Sequence, residues 1–204
     1  LLRSDGWRVV GVDLRNAEVV ADLANSEGRR RAIDEVAALC GDDGIDGLVC
    51  WAGLSGLSDR PGEPLASVNH FGTVEVLEGL RPLLASGSDP AAVAVASNST
   101  TCQPGGPAEV VDACLSGDEA AARAAAAEAG AVATYPATKL AVTRWVRRHA
   151  PTEAWAGAGI RLNVLAPGAV ETPMLDSVRA DPLLGQFVDD FPVPVGRTGR
   201  AEEL

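Results

Sequence analysis

The sequence lacks any apolar run approaching the roughly 18 residues a helix needs to cross a bilayer. It also lacks a basic start followed by an apolar stretch of the secretory kind. A cytoplasmic protein is therefore expected. Clustered positive charge is missing too. Lys and Arg number 17 against 28 Asp and Glu, giving a formal net charge of -11 that repels phosphate backbones and anionic lipid heads. Nucleic acid and membrane are thereby excluded as expected partners. The four cysteines, Cys40, Cys50, Cys102 and Cys114, form no C-x-x-C pair and have no His at zinc-ligand spacing, so no metal site is expected and reduced thiols are. There is no internal repeat. An initiating Met is absent as well: Leu1 reads as the last turn of one helix and residues 201–204 as the first turn of another, so both ends look cut.

What is present suits one α/β domain over residues 1–204. The chain is 204 residues long and 47% hydrophobic, enough to fill a sizeable core. WRVVGVD (7–13), EVVAD (18–22), IDGLVC (45–50), AAVAVA (91–96) and residues 160–166 read as strands, the last closed by Pro167 and Gly168. Between them, residues 25–40 carry Ile33, Val36, Ala37 and Cys40 at i, i+3, i+4, i+7 behind Asn25 or Ser26 as N-cap. Residues 65–84 read as one long helix with Val68, Phe71, Leu77, Leu80 and Leu84 on one side. A polar Gly/Pro loop follows at 98–107, then an Ala-rich helix at 118–129 ended by Gly130, then a helix from about Pro136 to His149. Apolar strands alternating with helices predict a doubly wound, Rossmann-type parallel sheet covered on both faces by crossovers.

In such a sheet ligands gather at the carboxyl ends of the strands. Asp13 ends the first strand, where a carboxylate accepts hydrogen bonds from an adenosine ribose and repels a 2′-phosphate, favouring NAD over NADP; a cap for the turn before Arg15 is the equal alternative. Tyr135 and Lys139 stand four residues apart and share a helix face. An ammonium there lowers the neighbouring phenol from its usual pKa of ~10 toward the working range of a general acid/base. An isolated Tyr-x-x-x-Lys arises often by chance, but this pair opens the helix before a strand ending in Pro-Gly. Ser97, just after another strand, is placed to hold a substrate oxygen near the phenol. Asn69, a poor helix former within an apolar helix, bridges backbone and water near the site or makes a plain structural bond. His70 reads as a helix-surface residue, His149 as a last-turn His favoured by the helix dipole, and Trp7, Trp145 and Trp155 as core residues.

Together these residues resemble the short-chain dehydrogenase/reductase family, along essentially the whole chain. The resemblance implies Ser97, Tyr135, Lys139 and Asn69 as the catalytic tetrad. It implies Asp13 as the NAD-selecting acid, Asp22 and Leu23 as the adenine-contacting pair, Ala52 and Gly53 as the end of the N-N-A-G motif, and Pro167, Gly168, Val170 and Thr172 (APGAVETPM) as contacts of the nicotinamide and its carboxamide. VVGVDLRNAEVVADL, SVNHFG, GIRLNVLAPGAVETPML and the long insertion between Ser97 and Tyr135 look most like the 3α-hydroxysteroid dehydrogenase/carbonyl reductase group, with coniferyl-alcohol dehydrogenases as competitors. The implied reaction is hydride transfer between NAD(H) and a small-molecule secondary alcohol or ketone, by a protein able to form homo-oligomers. Three departures are visible. Cys50 and Trp51 replace the Asn pair, Asn98 follows Ser97 so that a shifted alignment would make Ser99 the catalytic hydroxyl, and the family's T-G-x-x-x-G-x-G turn is not in this sequence. They keep open a non-catalytic dinucleotide-binding or scaffold protein, or an inactive fragment.

Overall fold

Val- and Ala-rich runs separated by amphipathic helices give strand pairs that are all parallel. The computed structural model describes residues 2–103, 106–188 and 190–204; Pro104 and Gly105 of the expected loop lie outside them. In chain order come β1 (Val12–Asp13), β2 (Val19–Val20), α1 (Ser26–Cys40), β3 (Gly47–Cys50), α2 (Glu63–Leu65), a π-helical turn (Ala66–Gly72) and α3 (Thr73–Ala85). Then follow β4 (Ala91–Val95), α4 (Ser99–Cys102), α5 (Ala108–Ser116), α6 (Glu119–His149), β5 (Arg161–Leu165), β6 (Val170–Glu171), α7 (Pro173–Ala180) and β7 (Gly199–Arg200). The sheets run β1-β2, β3-β4-β5 and β6-β7. This is the alternating α/β order of a Rossmann-type fold.

Burial alternates strictly along the central strands. Leu48, Cys50, Ala92, Ala94 and Leu162 point into a core built with Leu77 and Leu84 of α3 and Val142, Trp145 and Val146 of α6. Their neighbours on the opposite face stay open, with Val49 at 48% exposure and Leu165 at 36%. The helices thus cover one face of β3-β4-β5, where the all-apolar strands had suggested two. Strand 7–13 shrinks to β1 for a related reason. Among the described residues only β2 pairs with it, so the ladder that would extend it is absent and Trp7, expected in the core, is 53% exposed.

The expected helix over 25–40 forms as α1, with Asn25 Oδ1 accepting from the Gly28 N–H at 2.8 Å. The expected 65–84 helix widens in its first third into the π turn. The two helices expected at 118–129 and 136–149 are continuous in hydrogen bonding but break at Gly130, whose φ of 73° only glycine adopts at low cost. The insertion therefore returns directly into the helix that carries Tyr135 and Lys139. It also supplies α5, over residues to which the sequence reading assigns no element.

Candidate active site

The π turn explains how Asn69 reaches the site. One extra residue per turn is a local distortion often found at functional positions. Here it points the fully buried Asn69 at the segment after β3. Asn69 Oδ1 accepts from the Leu54 N–H at 2.7 Å, while Nδ2 donates to the Leu54 carbonyl at 3.0 Å and to Thr138 Oγ1 at 3.3 Å. The carboxamide holds the β3 loop and α6 together. Thr138, which in turn donates to the Tyr135 carbonyl at 2.8 Å, was not singled out from sequence. Its position inside Tyr-x-x-x-Lys was the available signal.

Lys139 is 5% exposed, and its Nζ donates to the Val95 carbonyl at 2.7 Å, two residues before Ser97. Burial pushes this ammonium down to about 8. The partly buried Tyr135 phenol is raised above its ordinary value by burial, against which a hydrogen bond with the Ser97 hydroxyl lowers it. The expectation that Lys139 depresses the phenol is thus not met in this state. Desolvation dominates, and the ammonium is directed at a backbone carbonyl. Ser97 Oγ is itself fixed by accepting from the Ser99 N–H at 3.1 Å. The Ser99 hydroxyl is buried with no hydrogen-bond partner among the described residues.

Glycines make the close approaches possible. A Cβ on Gly53 would stand 3.3 Å from Asn69 Oδ1 and 3.4 Å from Lys139 Nζ. One on Gly56 would stand 2.6 Å from the Ala131 carbonyl oxygen and 2.7 Å from the Tyr135 Cβ. Gly56 is a second position the sequence reading missed. Where the family motif has Asn, Cys50 makes only a 4.0 Å sulfur contact to the Thr73 carbonyl, its thiol pushed up to about 12 by burial, and Trp51 is 52% exposed.

At the far end of the site Asp13 closes β1 and is exposed. Asp22 braces the turn before α1, its carboxylate accepting from the Ala24 N–H at 2.9 Å and from Nδ2 of the N-cap Asn25 at 3.2 Å; Leu23 is partly buried and gives its carbonyl to Arg29. Ala52 is exposed beside Gly53. The Pro167 carbonyl accepts from the Asn98 N–H at 3.0 Å, which ties the post-β5 segment to the residue after Ser97. Val170 lies in β6, and Thr172 caps α7, accepting from the Leu175 N–H at 3.3 Å. A cleft of about 210 Å³ opens here. Its lining includes Ser97, Tyr135, Gly168 and Thr172 together with the apolar Leu184, Phe187 and Phe191.

His70 corrects the surface reading. It is 2% exposed, its ring edge-on to Phe71 at 5.1 Å, and burial lowers it to about 4. His149 lies in the last turn of α6 as expected, stacked on Trp145 at 4.1 Å with Nδ1 at 2.8 Å from the Trp145 carbonyl.

A hydroxyl, a phenol and a buried ammonium at the carboxyl edge of a parallel sheet form an acid/base site of the kind that oxidoreductases use on carbonyl groups. Residues 120–183 match the short chain dehydrogenase family. Over 207 aligned residues and its full length, the chain is 40% identical to the 3-alpha-hydroxysteroid dehydrogenase/carbonyl reductase of Comamonas testosteroni, covering 79% of that protein. The crystal structure of the 3-alpha-hydroxysteroid dehydrogenase from Pseudomonas sp. B-0831 complexed with NADH superposes with a TM-score of 0.90 at 41% identity, over 98% of this chain and 77% of that one. A gluconate 5-dehydrogenase from Burkholderia cenocepacia, in complex with NADP and tartrate, shares the fold at a TM-score of 0.62 and 24% identity, over 89% of this chain and 62% of that one. The chain belongs to the short-chain dehydrogenase/reductase family of oxidoreductases. Within that family it is similar to the hydroxysteroid dehydrogenase/carbonyl reductase group.

Proposed function

We propose that residues 1–204 act as one dinucleotide-binding domain in a protein that transfers hydride between NAD(H) and a secondary alcohol/ketone pair of the hydroxysteroid or related carbonyl type. The observation that carries the reading is the meeting of Ser97 and Tyr135 on the lining of one largely apolar cleft, with Lys139 buried one helical turn along. Support for the substrate class comes from the two hydroxysteroid dehydrogenase relatives and from a cleft that joins Ser97 and Tyr135 to a largely apolar lining.

The residues present fit a nicotinamide dinucleotide. An ammonium has three donors, and among the described residues Nζ of Lys139 spends one, on Val95, leaving two for a ribose diol. Gly53 keeps the backbone open directly beside that ammonium. Asp13, exposed at the end of β1, would accept from the adenosine ribose hydroxyls and repel a 2′-phosphate, so NAD is favoured over NADP. Asp22 and Leu23 would border the adenine, and Ala52, Pro167, Gly168, Val170 and Thr172 would line the path to the nicotinamide. When bound, the cofactor supplies or accepts the hydride.

In reduction, the carbonyl oxygen would accept hydrogen bonds from the Ser97 and Tyr135 hydroxyls. Burial keeps the phenol protonated at neutral pH, as a proton donor requires. Donation leaves a phenolate, stabilised by the Ser97 hydroxyl and by the positive charge of Lys139 on the same helix face. Asn69 acts as a positioning residue through Leu54 and Thr138.

The test is NADH oxidation by the full-length protein in the presence of saturated 3-ketosteroids, with NADPH as the comparison. Steroid-dependent loss of NADH absorbance with a clear preference over NADPH supports the reading. NADH binding with no turnover across a broad ketone set would sink it.

A further inference from the structure

We infer that Asp181 is a positioning residue that latches the segment carrying Leu184, Phe187, Val188 and Phe191 against the loop after β3, and so fixes the apolar wall that selects the body of the substrate. The inference rests on reading the cleft as the ketone site.

Asp181 follows α7 directly and is 7% exposed. Each of its carboxylate oxygens takes two donors. Oδ2 accepts from the Ser58 N–H at 2.7 Å and the Ser58 hydroxyl at 2.9 Å, a contact across 123 residues of sequence. Oδ1 accepts from the Leu183 and Leu184 N–H groups, both at 2.9 Å. Burial alone would raise this carboxyl, yet the donors hold it at about 2. A carboxylate whose oxygens are both used on one side by the β3 loop and on the other by the post-α7 turn is a clasp between those two segments. The same two segments both line the cleft, Ser55 and Gly56 from one and Leu184, Phe187, Val188 and Phe191 from the other. The turn is shaped for the role, since the Gly185 N–H donates to the Asp181 carbonyl at 2.9 Å and a Cβ on Gly185 would stand 2.4 Å from the Arg179 carbonyl oxygen.

Asp181→Asn removes the charge and, whichever way the amide turns, sets an NH2 group against two donors. Ser58→Ala removes the hydroxyl and leaves the backbone bond. In the ligand-free full-length protein, hydrogen exchange at Ser58, Leu183 and Leu184 should become about tenfold faster in Asp181→Asn, with β4 and the second half of α6 unchanged. With NADH present, Kd and KM for androstanedione should rise about tenfold, kcat staying within about twofold and cyclohexanone unmoved, because only a bulky body uses the wall. Ser58→Ala should shift the same quantities in the same direction by less. Unaltered exchange at residues 183–184, or an equal rise in KM for both ketones, would overturn the latch. If the wild type binds but never reduces either ketone, the proposed reaction fails, and the exchange and Kd measurements still decide the latch.

Discussion

The two ends of the site, one at the β3-β4-β5 sheet and the other at the separate β1-β2 pair, treat their polar groups in opposite ways. At the β4–β5 end Ser97, Thr138, Lys139 and Asn69 are each tied to a named partner, and the strands run five residues in register. At the β1–β2 end the strands are two residues long, Asp13 is exposed and Trp7 is more than half exposed. The difference follows from what each end would do. A group that gives up a proton must be held before the reaction, because reorganising dipoles costs free energy at the transition state. A carboxylate that accepts two ribose hydroxyls needs only to stand at a strand end with its charge intact. The ends are joined through Arg29, buried at 1% exposure. It bonds Glu75 of α3 at 2.7 Å and Glu119 at the start of α6 at 2.5 Å, so the insertion is anchored to α1 as well as to the tyrosine helix.

The contrast is broken most severely by crowding the preorganised end. Gly56→Ala places a methyl against the Ala131 carbonyl and the Tyr135 Cβ, neither of which can swing away, and should cost ~1–3 kcal/mol of stability while lowering kcat. Thermal unfolding with steady-state kinetics checks both. A variant with unchanged Tm and kcat would show that the loop does not rest on the tyrosine helix.

Asn69→Ala strands the Leu54 N–H and carbonyl in a buried setting and should destabilise by ~1–3 kcal/mol. Urea unfolding gives the size. Faster exchange of the Leu54 amide than of α6 amides gives the place.

A smaller effect concerns Lys139. Its folded-state pKa, about 8, lies below the ordinary ammonium value of ~10.4, so between these pH values the unfolded chain holds the extra proton. This group therefore penalises folding fully below pH 8 and releases that penalty as pH rises toward ~10.4. Lys139→Met should remove this upward trend from the pH dependence of stability. Parallel curves for wild type and variant would mean that the ammonium is not desolvated. Tyr135 pulls the other way only above ~10, because its raised pKa keeps the folded phenol protonated longer.

The least costly change lies at the opposite end. Asp13→Ala should alter stability by no more than ~0.5 kcal/mol, since no buried partner is lost. It should nevertheless weaken NADH binding and narrow the gap to NADPH. A large loss of stability would remove the contrast between the two ends.

Much of the site was legible because chemistry and spacing coincide in it. The one tyrosine of the chain stands four residues before its one lysine, and Ser97 and Pro167 each follow an apolar run. What was not legible depends on tertiary company. The π turn has no propensity signature, and one apolar pattern serves equally for α and π windings, so Ala66–Gly72 looked like ordinary helix. Thr138 gained its role only when Asn69 arrived from another element. His70 is buried because α5 lies over it, and α5 itself, AEVVDACLS, is too short for its periodicity to be read with assurance. The length of β1 and the open face of β3-β4-β5 depend on what stands beside them, which a strand's own residues do not encode. That burial raises the Tyr135 phenol more than Ser97 lowers it depends on what packs around the ring, which spacing along a helix does not carry.

The most direct measurement of the central claim is kcat/KM for NADH-dependent reduction of androstanedione by full-length wild type and Tyr135→Phe, with NADH affinity determined on both. The account predicts a loss of roughly 10²–10⁴-fold in kcat/KM, the usual scale of general acid catalysis, with NADH Kd nearly unchanged. A variant that keeps kcat/KM within a few-fold of wild type would contradict it, and the proton would have to come from elsewhere.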